Sequence, residues 1–226
     1  MGNEFSKGFG ENKEWLKCLV AVNVHIRDAL LEVLHDPLRG GIPSDPQELY
    51  DFFQEKEQQD KIKALKKKRV LNDHQIALLL PQNQRTFSEK WDVTVTCAVI
   101  INFSNLPEPT NGWFSKLLDP NDFSVSAFVV VARDEVRNKL IHGTPDEYKD
   151  EKIFRPFWSR IDLTLTTFNY KKIIDFYNLD TSKVDQTILL TQIDTIMNDV
   201  SGEDKELIIS KALNWLQDYN EKSKFF

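Results

Sequence analysis

Apolar residues in the first part of the chain recur at helical spacing. From Asn12 to Pro37, Leu16, Leu19, Val20, Val24, Ala29, Leu30, Leu31 and Leu34 mark one face of a long amphipathic helix that Pro37 closes. "RGGIPSDP" follows as a loop by its Gly and Pro content. The segment from Pro46 to Leu71 starts as a helix near its proline and becomes strongly charged. "NDHQIALLLP" predicts a short helix capped by Asn72 or Asp73 and stopped by Pro81. The stretch "KWDVTVTCAVIINFSNL" alternates β-branched residues, which favours a strand on propensity alone. "LPEPTNGWFSKLLDPND" reads as a long irregular loop that Trp113 pins to the body. "DFSVSAFVVVARDEVRNKLIHG" is β-branched too, yet too long for an ordinary strand. Val125, Phe128, Val129, Ala132, Val136 and Leu140 set out one helical face, with Ser or Asp at its start and Gly143 at its end. "DEKIFRPFWSRIDLTLTTFNY" is aromatic and helical in its second half. Two amphipathic helices follow in "TSKVDQTILLTQIDTIMNDV" and "GEDKELIISKALNWLQDYNEK", the last packing on the domain around Trp215. The pattern is that of a mostly helical domain.

Composition narrows the class. The 226 residues are 41% hydrophobic and 28% charged, with 15 Phe and 5 Trp, enough for a substantial core. A net charge of −6 argues against a surface that grips nucleic-acid phosphates all over, and no DNA specificity is evident. The lysine-rich run Lys61–Arg69 has acidic and amide residues before it and no interleaved aromatic, so it reads as a solvated helix face. Cys18 and Cys97 both sit in apolar company and predict two buried free thiols, which suits a reducing cytoplasm. Two cysteines and four scattered histidines offer no metal-ligand spacing, and no cofactor motif is present. No segment has the apolar length of a membrane span. "MGNEFSKG" matches the N-myristoylation pattern, with Gly2 as acceptor and Ser6 at the informative position; a polar leader matching by chance is the alternative. One acyl chain would give only weak, reversible membrane association.

The densest chemistry lies in "ARDEVRNKLIHGTPDEY". Asp134, Asn138 and His142 are each four apart and form one polar stripe, with Arg137 beside it. Basic side chains in a last turn complement the helix dipole, with Gly in a left-handed cap, and that alone accounts for the composition. The same residue types also suit RNA cleavage without a metal. A histidine accepts the 2′-hydroxyl proton, an arginine fork holds the phosphate, and an asparagine orients the imidazole or binds a phosphate oxygen.

"Arg-Asn-x-x-x-His" at 137–142 is similar to the Arg-x(4–6)-His signature of the HEPN superfamily of all-helical domains. Its surroundings extend the likeness. "VLNDHQIALLLP", "KWDVTVTCAVIINFSNLPEPTNGW", "VARDEVRNKLIHG" and "FWSRIDLTL" resemble, in that order, landmarks of the HEPN branch in DAZ-interacting zinc-finger ubiquitin ligases. The resemblance covers residues 12 to 195 and implies an all-α HEPN-like bundle with additional C-terminal helices. It implies a leader at 1–11, the domain at 12–195, and a helical extension at 196–226. It also turns the 91–103 stretch into a core helix, with Asp92 near its N-terminus.

Carried over, the resemblance makes His142 the acid/base residue, Arg137 the phosphate ligand and Asn138 the orienting partner. Asp134 would support them from behind, and Arg133 would bind RNA from a neighbouring edge. Branch relatives often carry Gly before the histidine and a five-residue gap. Here Ile141 takes that place and four residues separate Arg137 from His142, which changes how His142 faces the cleft. Two functions follow as expectations. One is a cytoplasmic, metal-independent endoribonuclease acting on single-stranded RNA as a homodimer, in stress or antiviral defence. The other is a non-catalytic module that binds RNA or associates with helical partners. The chain has no RING-type cysteine–histidine array, so ligase activity does not carry over.

Overall fold

The computed structural model describes residues 13–115, 119–144 and 146–170, and every regular element among them is helical. Helix α1 runs through Lys13–Val20, a π-helical stretch Ala21–Ile26, and Arg27–His35. It ends where Asp36 turns extended ahead of Pro37, whose ring disfavours helical dihedrals in the residue before it. The loop then doubles back, with Gly40 donating to the Val33 carbonyl and Ile42 to that of Leu34. A Cβ at Gly40 would lie 2.1 Å from the Leu34 oxygen, so only glycine permits this return.

Helix α2, Pro46–Gln54, has Asp45 accepting from the amides of Gln47 and Glu48 and proline at its start. Glu55 is extended and separates α2 from α3, Lys56–Lys67, so the charged segment is two helices rather than one. Phe53 and Ile62 are nine residues apart, opposite faces of an unbroken helix, yet both are buried. The break lets both reach the interior. Asn72 and Gln75 form a reciprocal capping box at the start of α4, Asp73–Leu79.

Helix α5, Val93–Phe103, settles the ambiguous stretch as helical, with Asp92 accepting from Val95 N at 2.7 Å. It is buried on nearly every side, and an element apolar all round belongs in a core. Helix α6 comprises Val125–Val130, a second π-helical stretch Val131–Arg137, and Asn138–His142. Helix α7, Glu151–Thr167, is helical throughout rather than only in its second half, with Pro156 inside it. Asp150 caps it early enough for the first turn to form.

α5 packs against α1 and α6, and α7 lies across the π stretches of both. Phe53 carries the α2–α3 layer onto this core, its ring edge-on to Trp91 and Phe103. Cys18 and Cys97 are free and buried, and burial pushes the Cys97 thiol up to about 12 and raises that of Cys18 as well. Among the described residues no helix is long and apolar enough to cross a membrane. The leader with Gly2, and the C-terminal helices with Trp215, lie outside the described residues.

Candidate functional site

Helix α6 and the loop before it build the site. Ser124 accepts from the Ala127 amide and starts the helix, as the sequence pattern predicts. Buried Phe128, Val129, Ala132, Val136 and Leu140 seat the helix on the core. Arg133 to Asn138 therefore lie along its outer edge, partly buried except for Val136 beneath them. The π stretch widens the turn that carries most of them, a distortion often found where proteins place functional side chains.

Four polar side chains on this edge are bonded in series. Arg133 donates through Nε and Nη2 to the two oxygens of Asp134, at 2.8 and 2.6 Å. The Asn138 amide nitrogen donates to Asp134 Oδ1 at 3.2 Å, and Arg137 Nη1 donates to Asn138 Oδ1 at 2.9 Å. Each bond dictates the next. With its NH₂ on the carboxylate, Asn138 must present its oxygen to the guanidinium. The chain carries two positive groups and one negative, so a net positive charge is held in fixed geometry.

Arg133 has a second role. Its Nη2 also donates to the Trp113 carbonyl at 2.9 Å, and its guanidinium lies 5.7 Å from the Phe114 ring centre. Hydrogen bonds to Asp134 raise its pKa further, so it stays charged. Trp113 is buried and Phe114 is exposed, so Arg133 ties the loop between α5 and α6 to the edge of α6. That geometry assigns its donors to holding the loop. Asp122 anchors the far side of the same loop through the amides of Thr110 and Ser124.

His142 stands apart from this series. It is exposed, ends α6, and makes no hydrogen bond or ion pair among the described residues. It opens instead onto a groove of 520 Å³ between the end of α6 and the first turns of α7, together with Lys139 and Arg160. Arg160 crosses from α7 to pair with Glu135 on α6 at 3.1 Å. Gly143 after His142 is extended, not left-handed as a glycine cap would have it. A Cβ there would come 2.9 Å from the Lys139 oxygen and 3.0 Å from the Tyr148 ring, so close packing is what requires the glycine. The Gly143 amide and the Tyr148 hydroxyl both donate to that oxygen and fix the helix end beneath His142.

The structure thus joins Arg133, Asp134, Asn138 and Arg137, and sets His142 at the groove a turn beyond. Sequence reasoning missed the groove. Glu135 and Lys139 were visible as an i, i+4 pair, but Arg160 and the α7 wall meet them only in three dimensions. Among the described residues no three His, Cys, Asp or Glu side chains are grouped to hold a metal ion.

Comparison with known proteins bears on this arrangement in one respect. No curated protein and no solved structure matches the chain significantly. The sequence model of the DZIP3/hRUL138-like HEPN family matches residues 46–191, which include α2 to α7 and the whole Arg133–His142 edge. That is well over half of the chain, and the helical architecture agrees with it. The protein belongs to the DZIP3/hRUL138-like HEPN family.

Proposed function

We propose that the chain is an RNA-directed HEPN module in which Arg137, Asn138 and His142 form a metal-independent endoribonuclease site for single-stranded RNA. The observation that carries this reading is the division of labour on the α6 edge. The Asn138 amide is bonded to Asp134 and Arg137 to the Asn138 oxygen, whereas His142 is exposed on an open groove beside Lys139 and Arg160. An exposed imidazole can take a proton from a 2′-hydroxyl. The 2′-oxygen then attacks the adjacent phosphorus and the P–O5′ bond breaks. His142 returns its proton to the departing 5′-oxygen, leaving a 2′,3′-cyclic phosphate. Arg137 offers positive charge where the phosphorane gathers negative charge. A homodimer would bring a second cluster to the same cleft, and stress or antiviral defence is the setting such an activity suits.

A second reading has its own support. Asp134 is bonded to Arg133 and Asn138, and Arg133 to the Trp113 carbonyl, so the series also serves as a strut. On that reading the domain associates with RNA or helical partners without cleaving. Incubating the full chain with labelled single-stranded RNA in excess chelator separates the two. The wild type is expected to produce cyclic-phosphate ends, and His142→Ala and Arg137→Ala to be slower by about 10²-fold or more. Equal cleavage by His142→Ala, or none by the wild type, removes the nuclease reading and leaves the association module.

A further inference from the structure

Phe114, on the loop between α5 and α6, is 71% exposed. A single apolar side chain at a surface is ordinary, but the backbone around this one is held in place. Trp113 before it is buried, its amide donating to Glu108 Oε1 at 3.1 Å and its carbonyl accepting from Arg133 at 2.9 Å. Gly112 turns left-handed at φ 83°, and its carbonyl accepts from the Ser115 amide on the other side of the ring. These bonds fix where the phenyl stands, so little backbone freedom is left to lose when something binds it. The Arg133 guanidinium sits over the ring, 5.7 Å from its centre, and leaves most of the residue exposed.

Charge alone does not make this end of the α6 edge a phosphate site. Arg133, Asp134, Asn138 and Arg137 together are net positive, but Glu108 and Asp122 on the loop offset them. What remains to offer is a preset aromatic ring with a polar border. A protein partner is anchored best in a well-packed, desolvated pocket, whereas a flat base with polar edges suits a lone ring among charged groups. Resting on the RNA reading above, we propose that Phe114 is a stacking platform for one base of the single-stranded RNA. Arg133 precedes His142 by nine residues on α6, about 13 Å along the axis. Stacked nucleotides are only about 3.4 Å apart, so the ring holds a nucleotide removed from the cleaved bond. The strand then follows the α6 edge, with a base on Phe114, a phosphate toward Arg137 and the scissile linkage at His142. Every base has a π-face, so the platform anchors the strand without reading its sequence.

The test uses the full chain carrying His142→Ala, so that RNA is not consumed, and labelled oligo-A and oligo-U titrated at several salt concentrations. Adding Phe114→Ala is expected to weaken both oligonucleotides by about 5- to 30-fold. Phe114→Tyr should stay within about twofold of the parent, whereas Phe114→Leu, apolar but not planar, should bind about as weakly as the alanine variant. The slope of affinity against salt should be unchanged by Phe114→Ala and reduced by Arg137→Ala, which separates stacking from phosphate contact. With His142 restored, Phe114→Ala should raise KM and leave kcat nearly as it was. Binding by Phe114→Ala within about twofold of the parent, or a leucine variant equal to it, overturns the platform. If that happens while His142-dependent cleavage persists, the nuclease reading stands and only the platform falls. If binding depends on Phe114 but the wild type never cleaves, the platform stands on an RNA-binding module and the nuclease reading falls. Binding of neither oligonucleotide, with no cleavage, overturns both and leaves Phe114 to a protein partner.

Discussion

Replacing Arg133 by alanine measures how firmly the loop between α5 and α6 is tied to the cluster. Its side chain is 20% exposed and that of Asp134 is 39% exposed, so the ion pair is partly screened and is worth about 0.5–1 kcal/mol. The bond from a charged donor to the Trp113 carbonyl adds about 1.5 kcal/mol, and the buried aliphatic stem about 0.5–1 kcal/mol. Arg133→Ala should therefore lower stability by roughly 2.5–3.5 kcal/mol, a fall in Tm of about 5–14 °C for a chain of this size. Arg133→Lys should recover less than half of that. A lysine ammonium reaches either the carboxylate or the carbonyl, not both in the arginine fork's geometry. Guanidinium denaturation followed by far-UV circular dichroism gives the loss, and tryptophan fluorescence reports the release of Trp113. A loss below about 0.5 kcal/mol for the alanine variant would refute the reasoning, as would a lysine variant equal to wild type. In that case Arg133 is a surface cation, and its expected effect moves to RNA affinity.

Other perturbations probe the same frame. Gly143→Ala carries no backbone penalty at φ −76°, yet its methyl meets the Lys139 oxygen and the Tyr148 ring. It should cost about 1–2 kcal/mol in denaturation, and full retention of stability would show that this helix end yields freely. Hydrogen bonds from the Ser124 hydroxyl and the amides of Thr110 and Ser124 hold the Asp122 carboxyl well below the usual carboxylate range. Its folded pKa lies below its unfolded one, so the loop has this stabilisation in full above about pH 4–5 and loses it as pH falls through the folded value. Carboxyl-carbon NMR should show Asp122 titrating below its neighbours, and a midpoint near 3.9 would count against the bonds. Burial pushes the Cys97 thiol up to about 12 and raises that of Cys18, so neither should react with iodoacetamide at pH 8 before unfolding. Mass shifts on the native protein at either cysteine would contradict their burial.

Much of the helical frame was legible because local chemistry dictates it. Asp45 with Pro46, Asn72 with Gln75, and Ser124 each satisfy the exposed amides of a helix start, and no tertiary contact is needed to recognise them. The apolar face from Phe128 to Leu140 was equally plain, since its period is that of the helix it forms. Residues 93–103 were not legible from propensity. Their β-branched alternation points to a strand, and only enclosure by α1 and α6 makes an all-round apolar helix the lower-energy choice. Family resemblance points to a helix there, because it reflects the fold rather than local preference. The break at Glu55 and the π stretches in α1 and α6 likewise arise from packing demands that no short window contains. At the site, sequence spacing placed Asp134 and Asn138 on one stripe with Arg137 beside it, because neighbours four apart meet on any helix. Tertiary structure alone assigned Arg133 to the Trp113 loop, turned Gly143 extended against Tyr148, and set Arg160 and Pro156 across from His142. Those contacts join elements far apart in the chain. Their geometry depends on how whole helices settle on a shared core, which a local pattern cannot encode.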